Sequence, residues 1–258
     1  MQVVILAGGL GTRLSEETEL IPKPMVLIGN KPILVHIIEH YSKYGFNDFI
    51  IALGYKQEII KNYFSNFIKN NSDLEVDLKS NKVKILSSKK FNWKIKLVFT
   101  GYESNTGGRL LLLKKYIKDN NFMLTYGDGL SNINLKKLLD FHKKHKKIAT
   151  VTAVRPEARF GNIKIDKNKS VHSFAEKPRT DSGLINGGFF VFNKKIFKYI
   201  KDDSSILEKY PLEELAKDNN LFAYHHKGFW QCMDNIRDKK YLESLLSLTP
   251  VPWKDYSE

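Results

Sequence analysis

The first twenty-five residues combine a glycine-rich loop with two cationic side chains, a set suited to binding phosphate. The loop, AGGLGTR at positions 7–13, follows an apolar run at 2–6 that predicts a strand buried on both faces of a parallel sheet. Glycines let backbone N–H groups approach an anion closely, and Arg13 adds a fixed positive charge. Lys23 stands between two prolines, which predict an extended backbone at the lysine. Together these residues predict a nucleoside triphosphate site.

Two better-known glycine loops do not fit the sequence. A dinucleotide fingerprint needs a third glycine where Leu14 stands, and the second predicted strand ends in Gly54 and Tyr55 without the acidic residue that binds a ribose hydroxyl. A P-loop needs Lys followed by Ser or Thr where Arg13 and Leu14 stand. The loop is therefore expected to bind phosphates in another way.

Two later stretches place polar side chains after predicted strands. Asp128 lies between two glycines, and Ser104 and Arg109 belong to the run SNTGGR, which precedes a helix expected at 107–116. Ligands of open α/β sheets bind at this edge, and Mg²⁺ prefers carboxylate and phosphate oxygens. A turn aspartate and a helix cap explain the same residues structurally. A cation in the first turn of a helix is unfavourable, which favours a functional role for Arg109.

Motifs spread over the whole chain resemble those of the sugar-1-phosphate nucleotidyltransferase family, and within it those of the cytidylyltransferases that use glucose 1-phosphate. They lie at residues 6–13, 22–24, 29–33, 106–109, 126–129, 185–190 and 228–234. The resemblance implies a Rossmann-like nucleotide-diphospho-sugar transferase fold, with CTP and α-D-glucose 1-phosphate giving CDP-glucose and pyrophosphate. It also implies Mg²⁺ as cofactor, a homo-oligomer, and a role in dideoxysugar synthesis for a bacterial surface polysaccharide such as the O-antigen of lipopolysaccharide.

The resemblance assigns three groups of site residues. Nucleotide-binding residues are Leu6, Ala7, Gly8, Gly9, Leu10, Gly11, Thr12, Arg13, Lys23, Ser104, Arg109 and Asp128. Sugar-phosphate-binding residues are Glu176, Lys177, Asn186 and Gly187. Metal ligands are Asp128 and Asp234.

The expected catalytic residues are Arg13, Lys23 and Asp128. Arg13 stabilises the leaving pyrophosphate, Lys23 neutralises charge at the α-phosphate, and Lys177 orients the sugar phosphate. The attacking phosphate oxygen is already an anion, so catalysis consists of positioning and charge stabilisation without a general base.

Three positions depart from the family pattern: Cys232, Asn235 and Val35 stand where proline, threonine and tryptophan are expected. These changes fall on the sugar pocket and the subunit contacts and leave the expected metal ligands intact. Cys232 has no identifiable basic partner, so it is not expected to act as a nucleophile.

The histidines also have two interpretations. His142 and His145, three residues apart on a predicted helix, are interpreted as solvated side chains rather than a metal pair, as are the histidines at 172, 225 and 226.

Length and composition predict one sizeable α/β core in 258 residues at 42% hydrophobic. No apolar run is long enough for a transmembrane helix and no leader pattern opens the chain, which with the single Cys232 predicts a cytoplasmic protein. The net charge of +14 is assigned to solvated lysines, since no nucleic-acid motif accompanies it and neither nucleic acid nor membrane is expected as a partner.

Apolar spacing predicts a mixed, mostly parallel sheet flanked by helices, with a small antiparallel appendage. Helices are expected at 31–44, 56–67, 107–116, 135–145, near 196, at 212–216 and at 235–248. Strands are expected at 2–6, 48–53, 96–100, 122–126, 149–154, 185–192 and near 222–225. A mobile excursion with short strands is expected at 70–96, and a hairpin at 161–174.

We expect one domain over 1–258, with residues 1–155 binding nucleotide and residues 156–258 forming the sugar-binding and C-terminal part. The rival functions are the same chemistry with UTP, dTTP or another phosphorylated acceptor, a non-catalytic nucleotide-binding protein, and a nucleic-acid-binding protein.

Overall fold

The computed structural model describes residues 1–9, 11, 14, 18–88, 90–156, 162–165, 169–175 and 183–255. Its centre is a seven-stranded sheet. The strands are β1 Gln2–Ala7, β2 Asp48–Leu53, β3 Lys94–Phe99, β4 Asn121–Tyr126, β5 Ala149–Val154, β6 Ile185–Asn193 and β7 Leu221–His225. Their order across the sheet is β3-β2-β1-β4-β6-β5-β7.

The sheet is mixed and mostly parallel, which confirms the predicted architecture. Only β6 runs antiparallel to its two neighbours, β4 and β5, while the other paired strands of the sheet are parallel. Leu6 of β1 pairs with Ala52 of β2 and Tyr126 of β4, so these three strands end together. The loops that follow them therefore meet at one edge of the sheet.

Helices cover both faces of this sheet. Among the described residues the α-helices are α1 Ile33–Lys43, α2 Gln57–Ser65, α3 Phe67–Asn70, α4 Thr106–Leu112, α5 Leu135–His145, α6 Tyr210–Lys217 and α7 Ile236–Ser244. Shorter 3₁₀ turns lie at Lys23–Met25, Lys114–Tyr116, Lys194–Lys198, Leu245–Ser247 and Pro252–Lys254.

Strand β1 is buried on both faces because its side chains alternate between two hydrophobic clusters. Val3 and Ile5 join the cluster that contains α1 and α5, whereas Val4 and Leu6 join the one that contains α4 and α6. The continuous apolar run at the start of the chain thus has the burial expected of a central parallel strand.

Within the part of the chain that the structure describes, four two-stranded antiparallel ribbons supplement the sheet. They pair Leu27–Ile28 with Lys31–Pro32, Ser72–Asp77 with Lys82–Ser88, Gly129–Ser131 with Trp230–Cys232, and Asn162–Ile165 with Val171–Ala175. The last is the predicted hairpin, and the second occupies the predicted excursion. The third joins two loops at the edge of the sheet.

The predicted helix ends differ from the observed ones where local chemistry intervenes. The helix expected at 31–44 begins only at Ile33, because Lys31 and Pro32 pair with the preceding short strand. The helix expected at 56–67 breaks at Asn66, whose side-chain nitrogen donates to the Asn62 carbonyl. Side-chain bonds of this kind compete with helical backbone bonds.

The interpretation of the histidines as solvated is wrong for two of them. His142 and His226 are buried, and His225 is exposed. His142 shares the Thr150 hydroxyl with His145, at ring-nitrogen distances of 2.9 and 2.7 Å. The sheet residue Thr150 thus provides the hydrogen bond that a buried imidazole needs. The described residues contain no group of three or more His, Cys, Asp or Glu placed to hold a metal.

Burial of His142 predicts an acid-sensitive fold. Burial, and then the neighbouring His145, lower the pKa of His142 from 6.5 to about 4. Between these values the unfolded chain binds a proton that the folded protein excludes, so the free energy of unfolding falls as pH drops from about 6.5 to 4. We expect His142→Gln to remove up to roughly 3 kcal/mol of this pH dependence, measured by urea unfolding. His225→Gln is the exposed control, and an unchanged pH slope in His142→Gln would contradict the expectation.

None of the described helices is both long enough and apolar enough to span a bilayer.

Candidate active site

A cavity of about 600 Å³ opens at the edge of the sheet where β1, β4 and β6 contribute their loops or ends. Eleven of the residues predicted from the sequence line it. They are Leu6, Ala7, Gly8, Gly9, Gly11, Lys23, Ser104, Arg109, Asp128, Asn186 and Asp234. Gly187 lies beside the wall, where its carbonyl accepts a bond from the indole nitrogen of Trp230 at 2.7 Å. Leu10, Thr12, Arg13, Glu176 and Lys177 fall outside the described residues.

One ammonium joins two carboxylates at the floor of the cavity. Lys23 Nζ lies 2.5 Å from Asp128 Oδ2 and 2.8 Å from Asp234 Oδ1. The three side chains come from loops far apart in the sequence and are only partly exposed. The three side chains together carry two negative charges and one positive charge, so the site has a net affinity for a further cation.

Backbone pairing places the two carboxylates side by side. Asp128 directly precedes one strand of the ribbon that pairs Gly129–Ser131 with Trp230–Cys232. Met233 N donates to the Asp128 carbonyl at 2.9 Å, which extends the pairing to the residue before Asp234. This short ribbon therefore fixes the distance between the two acidic loops.

A capping box fixes the second carboxylate at the start of α7. Asn235 Oδ1 accepts from Asp238 N at 3.0 Å, and the Asp238 side chain accepts from the Asn235 and Asp234 backbone nitrogens. Reciprocal bonds of this type satisfy the free N–H groups at a helix start. Asp234 is thus held by its backbone, and its side chain faces Lys23.

The prediction that Lys23 is extended is wrong. Lys23 begins a 3₁₀ turn in which Met25 N donates to the Pro22 carbonyl at 2.7 Å and Val26 N donates to the Lys23 carbonyl at 3.1 Å. The extended backbone lies one residue earlier, at Pro22, with ψ of 145°. Proline disfavours a helical residue before it, but two backbone hydrogen bonds offset that preference here.

Opposing effects act on the charge of Lys23. Burial by itself lowers the pKa of this lysine, but the charges and hydrogen bonds of Asp128 and Asp234 outweigh it, so the pKa is raised. The ammonium is therefore charged in the resting site, as it must be to contact phosphate.

Arg109 is buried and clamps the loops that form one wall of the cavity. Its guanidinium donates to five oxygens: Leu53 O at 3.2 Å, Thr100 Oγ1 at 2.9 Å, Gly101 O at 2.7 Å, Gly8 O at 3.0 Å and Tyr102 O at 3.1 Å. Burial lowers the pKa of this guanidinium. Its observed contacts are structural, and its contact with nucleotide stays a prediction.

This clamp explains two glycines. A Cβ at Gly8 would lie 2.4 Å from Arg109 Nη1, and one at Gly54 would lie 2.4 Å from the Gly8 carbonyl. At Gly9, by contrast, no atom of the described residues lies within 4 Å of such a Cβ. Close packing on Arg109 therefore requires glycine at positions 8 and 54.

We expect Arg109→Met to lower the free energy of unfolding by about 3 kcal/mol, because several buried carbonyls lose a charged donor. Urea unfolding measures the change, and Arg155→Met, at an exposed arginine, is the control. Equal unfolding midpoints in the two variants would remove the structural role assigned to Arg109.

Comparison with known proteins identifies the family. A family model described as nucleotidyl transferase matches residues 2–239. The chain belongs to the nucleotidyl transferase family.

Similar proteins are alike along their whole length. The chain is 48% identical over 257 residues to a glucose-1-phosphate cytidylyltransferase of Salmonella typhi, covering 99% of this chain and 100% of that protein. It is 43% identical over 255 residues to a probable glucose-1-phosphate cytidylyltransferase of Bacillus subtilis, covering 98% and 99%. The solved structure of HddC from Yersinia pseudotuberculosis complexed with GMP-PN has a TM-score of 0.69 at 27% identity, covering 95% and 99%.

These comparisons confirm the Rossmann-like nucleotide-diphospho-sugar transferase fold and the transferase activity predicted from the motifs. Enzymes of the nucleotidyl transferase family generally use a divalent metal, and this site suits one. Asp128 and Asp234 already direct oxygens at one cation, the Lys23 ammonium. Two carboxylates with phosphate oxygens from the substrate are the ligand set that a hard divalent cation prefers.

Four residues in or behind the wall of the nucleotidyl transferase cavity were not predicted from the sequence. Thr106, Tyr126 and Trp230 line the cavity, although each stands inside or beside a recognised motif. Glu208 lies behind the wall and is bonded to the first two. Glu208 belongs to no recognised motif, so its contacts with Thr106 and Tyr126 could not be predicted from the sequence and are seen only in the fold.

Cys232 also lines the cavity of this nucleotidyl transferase. Burial, followed by the charges of Asp234 and Asp128, raises the pKa of its thiol to about 12. A thiol that stays protonated is a poor nucleophile, which agrees with the non-nucleophilic role expected from the sequence.

Proposed function

We propose that this protein transfers the cytidylyl group of CTP to α-D-glucose 1-phosphate, forming CDP-glucose and pyrophosphate. The observation that carries the proposal is the convergence of Lys23, Asp128 and Asp234 in a cavity bounded by the glycine loop after β1. The identity of nucleotide and sugar is supported by the full-length similarity to the cytidylyltransferases of Salmonella typhi and Bacillus subtilis.

The chemistry needs charge stabilisation more than proton transfer. The attacking oxygen of the sugar phosphate is already negative, and pyrophosphate leaves as an anion. Lys23 neutralises charge at the α-phosphate, and the backbone around Gly9 and Gly11 binds base and phosphates. Arg13 stabilises the leaving group, and Lys177 orients the attacking phosphate.

Asp128 and Asp234 would hold the metal, which we propose is Mg²⁺. When bound, it supplies positive charge to the phosphate oxygens of both substrates. The protein contributes the geometry, because the ribbon and the capping box hold both carboxylates before any substrate arrives. Sites prepared in this way do not need to reorganise as charge develops.

We propose that Asn186 and Gly187, together with Glu176 and Lys177, bind the sugar phosphate. Asn186 lines the cavity, and its amide can donate and accept hydrogen bonds to hydroxyls. The sugar would thus occupy the side of the cavity that faces β6.

The reaction consumes a nucleoside triphosphate, and the single cysteine suits a reducing compartment, so we place the enzyme in the cytoplasm. We further propose that residues 1–258 act as one nucleotidyltransferase domain within a homo-oligomer, and that CDP-glucose supplies a dideoxysugar pathway for a bacterial surface polysaccharide.

Pyrophosphate release tests the proposal. The protein is incubated with Mg²⁺ and glucose 1-phosphate, and CTP, UTP, dTTP, ATP and GTP are offered separately. Release with CTP alone is expected. GTP is a pointed alternative because the similar structure of HddC is a complex with GMP-PN. Release with another nucleotide would overturn the assignment to CTP, and silence with all five would direct the test to other sugar phosphates.

A further inference from the structure

Glu208 is a half-buried carboxylate behind the cavity wall, in the segment that precedes α6. Its Oε2 accepts from Thr106 Oγ1 at 2.6 Å, and its Oε1 accepts a short bond from the Tyr126 hydroxyl. Thr106 and Tyr126 both line the cavity. One carboxylate thus connects the start of α4 with the end of β4. A negative charge beside an anion-binding cavity is electrostatically unfavourable unless hydrogen bonds to neighbouring groups offset its cost.

The direction of both hydrogen bonds is fixed. An ionised carboxylate can only accept, so Thr106 and Tyr126 must both donate to it. Thr106 Oγ1 in turn accepts from Leu207 N at 2.9 Å, which leaves its proton for Glu208. The Tyr126 hydroxyl therefore directs its proton at Glu208 Oε1.

The phenol oxygen of Tyr126 is therefore left with acceptor sites only. Asn186 Nδ2 donates a long hydrogen bond to this oxygen at 3.4 Å, and Asn186 Oδ1 accepts from Gly188 N at 2.8 Å, which orients the amide. The Tyr126 ring packs on Gly188, where a Cβ would lie 2.6 Å from Cδ2. Position and polarity of this oxygen are both set before a ligand binds.

We propose that Glu208 is a positioning residue that sets sugar specificity. By accepting the hydrogen bond from Tyr126, Glu208 leaves the phenol oxygen as an acceptor toward the cavity, so that this wall selects a sugar hydroxyl that donates a hydrogen bond. The inference rests on the proposed function, because it takes the ligand beside Asn186 to be a sugar.

Glu208→Gln tests the polarity with almost no change of shape. Thr106 Oγ1 already accepts from Leu207 N and has its proton free to donate, so we expect the new amide oxygen to accept from Thr106 and the amide nitrogen to point at Tyr126. The Tyr126 proton then has to face the cavity, and the acceptor becomes a donor. Tyr126→Phe removes the same oxygen and leaves Glu208 in place.

The experiment measures binding by calorimetry with CDP-glucose and with CDP, which lacks the sugar. We expect Glu208→Gln and Tyr126→Phe each to weaken the binding of CDP-glucose by about 5- to 10-fold, which is the size of one lost hydrogen bond. The affinity for CDP should change by less than about 2-fold. The double variant should be no weaker than either single variant, because both act on one oxygen. Glu213→Gln, at an exposed glutamate of α6, is the matched control and should bind like the wild type.

If Glu208 had only a structural role, Glu208→Gln would weaken the binding of CDP and of CDP-glucose equally. If Glu208 had no role, the substitution would change neither affinity. Either result overturns the inference. Additive losses in the double variant would also overturn it. If the wild type binds CDP-glucose no more tightly than CDP, the proposed contact between Tyr126 and the sugar is overturned. A wild type that binds neither ligand overturns the proposed function instead, and the same comparison with the nucleotide and sugar that it does use then decides the role of Glu208.

Discussion

Asp128→Asn lowers turnover by roughly 10²–10³-fold, the loss expected when one electrostatic stabiliser is removed from a preorganised site. The amide keeps the size of the side chain but removes one of the two charges that meet at Lys23. Because only Asp234 is left to hold a divalent cation, the affinity of the site for that cation also falls. Steady-state pyrophosphate release measures turnover, and titration with Mn²⁺ followed by electron paramagnetic resonance measures the metal.

Asp140→Asn is the matched control, because Asp140 is exposed on α5 and lies outside the cavity. Thermal unfolding of both variants separates a chemical effect from a loss of fold. Turnover by Asp128→Asn within about 2-fold of the Asp140→Asn value would remove Asp128 from the mechanism, and unchanged Mn²⁺ affinity would remove it as a metal ligand.

The strands and helices that position this site were predictable because their signals are local. The apolar run before the glycine loop became β1, and the three-four spacing at 135–145 became α5 with the predicted bounds. The helix ends were less predictable. They are decided by local hydrogen bonds that compete with the helical backbone bonds. Examples are the bond from the Asn66 side chain between α2 and α3, and the short strand pairing before α1.

The proximity of Asp128, Asp234 and Lys23 was predictable only through resemblance. Asp128 and Asp234 are brought together by a ribbon with three residues in each strand, and no periodicity in so short a segment predicts its partner. The resemblance supplied the pair, whereas the fold supplied the reason for their proximity. The same holds for the ammonium that both carboxylates contact.

Arg109 shows how a residue can be singled out from the sequence for a reason that the structure does not support. The sequence marked it because a cation in the first turn of a helix is unfavourable. In the structure Arg109 lies in the last turn of α4, where a cation is not unfavourable, and its guanidinium is held by carbonyl oxygens that converge from the ends of β1, β2 and β3. Such convergence depends on the order of strands in the sheet, which no local pattern encodes.

Lys23→Met gives opposite results in two measurements, which makes it the most discriminating variant of this site. Turnover falls by roughly 10²–10³-fold, because the α-phosphate loses its cation. Binding of Mn²⁺ to the protein without substrates becomes tighter by at least about 10-fold. In the resting site the ammonium offsets one of the two carboxylate charges and occupies the position between Asp128 and Asp234, so a divalent cation must displace it. Its removal leaves two adjacent negative charges with no competing cation.

Lys96→Met is the control for loss of a lysine ion pair, because Lys96 Nζ lies 2.8 Å from Asp48 Oδ1 away from the cavity. It should change neither turnover nor Mn²⁺ affinity. Loss of turnover in Lys23→Met with weaker Mn²⁺ binding would mean that the lysine organises the carboxylates instead of competing for them. Unchanged turnover would remove Lys23 from catalysis altogether. Tighter metal binding with lost turnover would show that one side chain occupies the cation site at rest and acts on phosphate during the reaction.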